Sequence, residues 1–114
     1  MNNMYDTANK LASEIKESQE YNEYKNARMQ VMANPDLKKK ITEFEKLRYD
    51  MQVLSLEKGE DSPEKMKMLQ EMYDILVKNK DIKEYFDLEV KFNVMVADIN
   101  KIIAESMADI FNIK

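Results

Sequence analysis

Carboxylates are the chemistry-bearing side chains this sequence holds in quantity. Glu43 and Glu45, Glu71 and Asp74, Glu84 and Asp87, Glu89 and Asp98 all fall in stretches of helical periodicity. Acids on facing helices can hold a di-iron centre, but that site takes its remaining ligands from Glu-x-x-His pairs. The 114-residue chain contains no histidine. An oxygen-only site for magnesium or calcium needs several acids converging on one point, and no segment has the acidic spacing of an EF-hand loop. Acids and lysines instead alternate three or four residues apart, as in Lys80–Glu84 and Glu43–Lys46. That spacing makes solvated, ion-paired helix faces. No metal site and no cofactor are expected.

Cysteine is absent as well. Without it there is no thiol nucleophile, no disulfide framework and no cysteine-ligated zinc or iron–sulfur cluster. Without histidine the usual general base and the usual pH switch are missing, and Ser-His-Asp and Cys-His arrangements are excluded. The expectation is a protein that is not an enzyme.

The basic residues gather once, at Lys38, Lys39 and Lys40, with Lys46 and Arg48 beyond. Lys38, Lys39, Lys40 and Arg48 are the candidates for a weak RNA contact. Asp36, Glu43 and Glu45 dilute the cluster, no glycine-rich loop accompanies it, and the net charge is −4. Nucleic acid is therefore not the expected partner, and a solvated helix face is the plainer reading. Ten methionines are many for this length. Met29 and Met32, and then Met66, Met68 and Met72, sit at or near helical spacing and suit core gaps, with Met68 off the stripe. Tyr21, Tyr24, Tyr73 and Tyr85 fall on or beside apolar stripes, where core edges or interface anchors are their expected role.

The elements that position these residues are marked by unusually few breaks. The chain has one glycine and two prolines: Pro35, Gly59 and Pro63. A first helix is read from about Tyr5 to Glu17 through Leu11 and Ile15, and Ser18 caps a second that runs to about Ala33. Asn34-Pro35-Asp36 is a cap, a first-turn proline and an acid at the positive helix end. The third helix follows over about 35–58, with Leu37, Ile41, Phe44, Leu47, Met51 and Leu54 on one seam. Gly59 closes it, Gly59-Glu60-Asp61 is a short connection, and Ser62-Pro63-Glu64 repeats the start signal. Met66, Leu69, Met72 or Tyr73, and Leu76 mark the inner side of helix four. Asn79-Lys80-Asp81 begins or kinks a fifth helix over about 81–112. Ser18, Asn34 and Asn79 are each followed two residues later by an acid, a pattern of shared capping chemistry rather than of a solenoid. The fold class is all-α: an antiparallel bundle of about five helices, two of them long, in a single domain over 1–114.

Length sets a further constraint. A compact domain of this size has a radius of gyration of about 13–14 Å, whereas an unbroken fifth helix would reach about 45 Å. Its apolar seam continues to Ile110, Phe111 and Ile113, so a projecting end needs covering. The expected answer is a homo-oligomer, a two-fold dimer first, built on helices three and five. Leu47, Met51, Leu54, Phe92, Met95, Ile99, Ile103 and Ile110 are its candidate interface. No membrane partner is expected, since the longest apolar run is only Val94 to Ala97 and no signal-peptide core opens the chain. A cytoplasmic protein is the default.

Several of these pieces together form a pattern. Tyr5-Asp6-Thr7-Ala8, Glu20-Tyr21 with Tyr24-Lys25, Asn34-Pro35-Asp36-Leu37, Phe44 and Leu47 with Gln52, the turn at Gly59, and Phe92 with Asp98-Ile99-Asn100-Lys101-Ile102-Ile103 resemble the YlbF/YmcA family of small helical proteins from Gram-positive bacteria. The stretch Asp98 to Ile103 is the most specific part. The resemblance implies an all-helical, self-associating protein without catalytic residues. It further implies regulatory partners in a cytoplasmic complex that affects competence, sporulation and biofilm formation and is associated with an mRNA-cleaving endoribonuclease. Some members carry cysteines linked to iron–sulfur binding, and this chain has none; it stands nearer the uncharacterised relatives. The expected function is that of an oligomeric regulator or adaptor, with an RNA-associated accessory protein as the alternative.

Overall fold

A computed structural model describes residues 3–59 and 62–111. Six helices follow one another: α1 (Met4–Glu17), α2 (Gln19–Met32), α3 (Pro35–Lys58), α4 (Pro63–Leu76), α5 (Lys80–Glu105) and α6 (Ala108–Phe111). No strand occurs among the described residues. Their boundaries follow from side-chain caps. Asn3 Oδ1 accepts from the Tyr5 N–H at 2.9 Å. Asn34 Oδ1 accepts from the N–H groups of Asp36 and Leu37 at 3.0 and 3.2 Å. Ser62 Oγ accepts from the Lys65 N–H at 3.3 Å. Each satisfies a donor that the first helical turn leaves without an intrahelical partner.

Ser18 and Asn79 break the chain without help from glycine or proline. The Ser18 hydroxyl donates to the Ile15 carbonyl at 2.6 Å and accepts from the Tyr21 N–H at 3.1 Å. One oxygen thus closes α1 and opens α2, while the Ser18 backbone is extended (φ −67°, ψ 153°). Asn79 Oδ1 accepts from the N–H groups of Asp81 and Ile82 at 2.9 and 3.1 Å. Asn79 is therefore a true helix start, not a kink in one continuous helix. Gly59 takes the left-handed conformation (φ 63°) in which an L side chain is strained, and its N–H donates to the Ser55 carbonyl.

The fifth helix ends sooner than the sequence suggests. It closes at Glu105, not near 112. Ser106 Oγ donates to the Ile103 carbonyl at 2.6 Å, and the N–H groups of Ser106 and Met107 reach back three residues instead of four. A serine hydroxyl competing for a helical carbonyl is a local alternative to the helical ladder. The helix of 26 residues is about 39 Å long, and α6 follows as a separate turn. The Glu60-Asp61 connection, Asn112 and Ile113 lie outside the described residues, as does the side chain of Phe111.

The chain forms two compact units. The first holds α1, α2 as far as Asn26, α5 from Phe86, and α6; the second holds α2 from Ala27, α3, α4 and the start of α5 through Tyr85. In the second unit Val31, Ile41, Phe44, Leu76, Ile82 and Tyr85 are buried. The seam of α3 is thus fully covered at Ile41 and Phe44 and half-covered at Leu37, Leu47, Met51 and Leu54. On α4 only the last turn is buried: Leu76 is covered, Leu69 and Met72 are half-buried, and Met66 and Tyr73 are exposed. In the first unit Phe86 and Glu89 are buried, and α1 has no buried residue. No helix among the described residues is long and apolar enough to cross a membrane.

Replacing Ser18 by Ala removes both bonds of its hydroxyl at one junction. A loss of about 1 kcal/mol is expected, the usual effect of deleting a helix cap. Urea denaturation followed by circular dichroism measures it, and an unchanged midpoint would show that the junction does not depend on the hydroxyl.

Candidate functional site

The polar centre of the second unit is built on Tyr85. Its ring has no exposed surface, so its hydroxyl must bond within the protein. Arg28, from α2, donates through Nη1 to the Tyr85 hydroxyl oxygen. The same nitrogen donates to Glu45 Oε2, from α3, at 3.1 Å, and the Tyr85 O–H points toward that oxygen at 3.5 Å. Arg48 Nη2 lies 3.8 Å from it. One carboxylate oxygen on α3 therefore gathers two guanidinium groups and a phenol.

The electrostatics follow from that geometry. The hydrogen bond to Glu45 holds the Arg28 guanidinium even more firmly protonated than an ordinary arginine, against a smaller opposing effect of burial. Arg28 also lies over the Tyr85 ring, 5.9 Å from its centroid, and Arg48 lies 5.5 Å from the centroid of Phe44. Both cations are thus held on aromatic faces as well as by charge. A second polar contact lies in the first unit. The Tyr24 hydroxyl donates to Glu89 Oε2 at 3.0 Å, and Glu89 is 9% exposed. Phe92 packs beside this pair, its ring 5.4 Å from Tyr24 and 6.0 Å from Tyr21.

Two of these acids differ from the sequence reading. Glu45 and Glu89 belong to the set read as solvated, ion-paired faces. Glu89 is buried and Glu45 is tied to Arg28, Arg48 and Tyr85. The signal was present for Glu89: it stands four residues after Tyr85 and three before Phe92, beside an apolar stripe where an acid needs a buried donor. For Glu45 the one local signal is Arg48, three residues on; its partners Arg28 and Tyr85 are 17 and 40 residues away.

The surface between α3 and α4 carries an apolar cleft of about 300 Å³, lined by Phe44, Met51, Met66, Leu69, Gln70 and Tyr73. The rings of Phe44 and Tyr73 are 6.3 Å apart in its wall. Met66 is half in the open, so it is a cleft wall and not a core filler. Met68, off the stripe in the sequence, is exposed.

The residues singled out for an interface do not share one environment. Leu47, Met51, Leu54, Phe92, Met95 and Ile99 are half-buried within the chain, while Ile103 and Ile110 are exposed. Lys38, Lys39 and Lys40 are exposed on α3. Lys39 and Lys40 border a surface hollow together with Asp36 and Glu43, and Arg48 is engaged with Glu45 and Phe44. Among the described residues no group of three or more acids is placed to hold a metal ion.

Tyr85→Phe keeps the ring and removes the hydroxyl that Arg28 and Glu45 share. A loss of about 1–2 kcal/mol is expected from a buried hydrogen bond to a charged group. Combined with Glu45→Ala, the loss should fall short of the sum of the single effects by about 0.5–1 kcal/mol, the coupling typical of residues in one network. Strict additivity in thermal or urea unfolding would mean that the two side chains act independently.

The same architecture recurs in known proteins. A solved protein of unknown function (DUF964) from Bacillus stearothermophilus superposes with a TM-score of 0.80 over 95% of each chain at 13% sequence identity, a likeness of fold alone. A UPF0342 protein of Caldicellulosiruptor bescii is 36% identical over 107 residues, covering 94% of this chain and 90% of the relative. A UPF0342 protein of Clostridium novyi is 34% identical over 109 residues and 96% of both chains. One of Symbiobacterium thermophilum is 33% identical over 104 residues, 91% of this chain and 93% of its own. The family described as control of competence regulator ComK, YlbF/YmcA, matches residues 4–108. With nearly the whole described length inside that match, the chain belongs to the YlbF/YmcA family, among relatives of the UPF0342 type.

Proposed function

We propose that the protein is a non-enzymatic helical interaction protein, self-associating and acting in the cytoplasm as a regulator or adaptor. The observation that carries the reading is the apolar surface of the first unit. Val90, Val94, Ile102, Ile103 and Ile110 are all exposed on α5 and α6. Ile102 and Ile110 keep 69% and 77% of their surface in the open. Val90 and Val94 stand on consecutive turns of α5, and apolar side chains grouped in that way, rather than scattered singly, mark surfaces that another chain covers. The family description adds support, since it names control of a regulator and no reaction. Regulation by docking requires faces and not a catalytic cleft, and faces are what long helices with few loops present.

Two measurements test this. Sedimentation velocity of the full chain at micromolar concentration should give a species heavier than the 13.5 kDa monomer; a clean monomer removes self-association. Native co-purification from the source cells should return a second, stoichiometric protein with it. Recovery of the chain with no such partner would remove the adaptor role while leaving self-association standing.

A further inference from the structure

One face of α5 is exposed along its whole middle, and its charges are complementary to themselves when the helix is reversed. Val90, Val94, Ala97 and Lys101 are spaced four, three and four apart, which puts them on one side of a helix. Val90 is 61% and Val94 54% exposed, and Ala97, Lys91 and Asp98 are exposed beside them. The other side of α5 carries Phe92, Met95 and Ile99, half-buried, with Phe92 against Tyr21 and Tyr24. The Val90–Val94–Ala97 stripe is therefore a second apolar face that the chain's own packing does not use.

The charges flanking this stripe select a partner. Lys91 stands three residues before Val94 and Asp98 four after it; Asp87 stands seven before and Lys101 seven after. A second α5 laid antiparallel across Val94 brings Asp98 of one copy to Lys91 of the other, and Lys101 to Asp87. Each contact occurs twice, as a two-fold axis requires. The central layer is then Val94 against Val94, with Val90 against Ala97 on either side. Laid parallel about a two-fold axis along the helices, the flank that carries Lys91 and Asp98 falls on opposite sides of the seam in the two copies, so neither charge pair forms. We infer that the Val90–Val94–Ala97 face of α5 is a self-docking surface whose occupant is the same face of a second copy, antiparallel about a two-fold axis passing Val94. The inference rests on the self-association proposed above and assigns it to the face of α5 opposite Phe92, Met95 and Ile99.

The absence of cysteine from the chain makes the geometry directly testable. Val94→Cys places a lone thiol beside its copy, and mild oxidation with diamide should yield a covalent dimer. Lys101→Cys on the same helix should not. Seven residues on each side of the axis separate the two copies by about 21 Å along the helix, far beyond the roughly 7 Å between Cα atoms that a disulfide allows. A parallel pair would cross-link at both positions, and cross-linking at both or at neither overturns the assignment. Charge exchange is the second arm. Lys91→Asp alone and Asp98→Lys alone should each weaken dimerisation by about tenfold, because each turns two attractions into two repulsions. The double exchange should return the dissociation constant to within about threefold of wild type, with unchanged helix content by circular dichroism as the check on folding. A double variant weaker than either single one counts against the pairing. A wild-type chain that is monomeric overturns this inference together with self-association. A wild-type dimer indifferent to both charge changes overturns the face alone.

Discussion

Tyr85 sets the condition that much of the second unit must meet. A fully covered aromatic ring brings strong apolar stabilisation, but its hydroxyl has no route to water and needs a partner inside. The chain supplies that partner from two other helices: Arg28 on α2 donates to the phenol oxygen, and Glu45 on α3 lies within reach of its hydrogen. The buried residues Ile41, Phe44 and Ile82 set which face of each helix turns inward, but their contacts are not directional and tolerate small shifts. The phenol fixes register. If α3 turned by one residue, Glu45 would leave Arg28 and Tyr85, and a buried hydroxyl would lose its acceptor. The network is part-exposed, with Arg28 41% and Glu45 26% exposed on their side chains. Its Coulomb energy is accordingly modest, and its value lies in specifying one arrangement of the three helices.

Helix ends were legible because they are local. Asn34, Pro35, Gly59, Ser62 and Pro63 act within one turn of where they stand, and Ser18 and Asn79 cap in the same way without a proline. The end of α5 was not legible, because Ser106 stops a helix only by turning its hydroxyl back onto the Ile103 carbonyl. A serine facing solvent in mid-helix has the same neighbours in sequence. The α3 seam shows the same division. Its period was readable from Leu37 to Leu54, but the grading of cover, complete at Ile41 and Phe44 and partial beyond, depends on what lies across from it. Glu45 illustrates the limit most sharply. Within a helical turn it has Arg48 three residues on, as Glu43 has Lys46, and what sets it apart comes from residues 17 and 40 positions away.

The two faces of α5 bear on function. A helix with one apolar stripe is explained by its own core. A helix with a second exposed stripe is not, and keeping valine at two positions on consecutive turns of an open face carries a risk of indiscriminate association. Charged residues around such a stripe limit that risk by making wrong alignments repulsive. Within seven residues of Val94 on the side of the stripe the signs run Asp87, Lys91, Asp98, Lys101, an order that inverts when the helix is reversed. Random alternation would tolerate many partners weakly. Charge antisymmetry about a central valine favours a copy of the same helix laid antiparallel, the alignment in which the pairs form.

That reading also accounts for the division of labour among the helices. The α3–α4 cleft belongs to the second unit and the Val90–Val94–Ala97 stripe to the first. Its wall contains Met51 and Met66, whose unbranched side chains adapt to differing shapes, beside the fixed rings of Phe44 and Tyr73. Arg48, held over Phe44 and toward Glu45, is a cation with restricted freedom, and ordering it further costs less entropy than ordering a free surface arginine. A charge-coded face suits one constant partner, and a methionine-lined face suits variable ones. In this chain the charge-flanked valine stripe and the methionine-lined cleft reside on different helices.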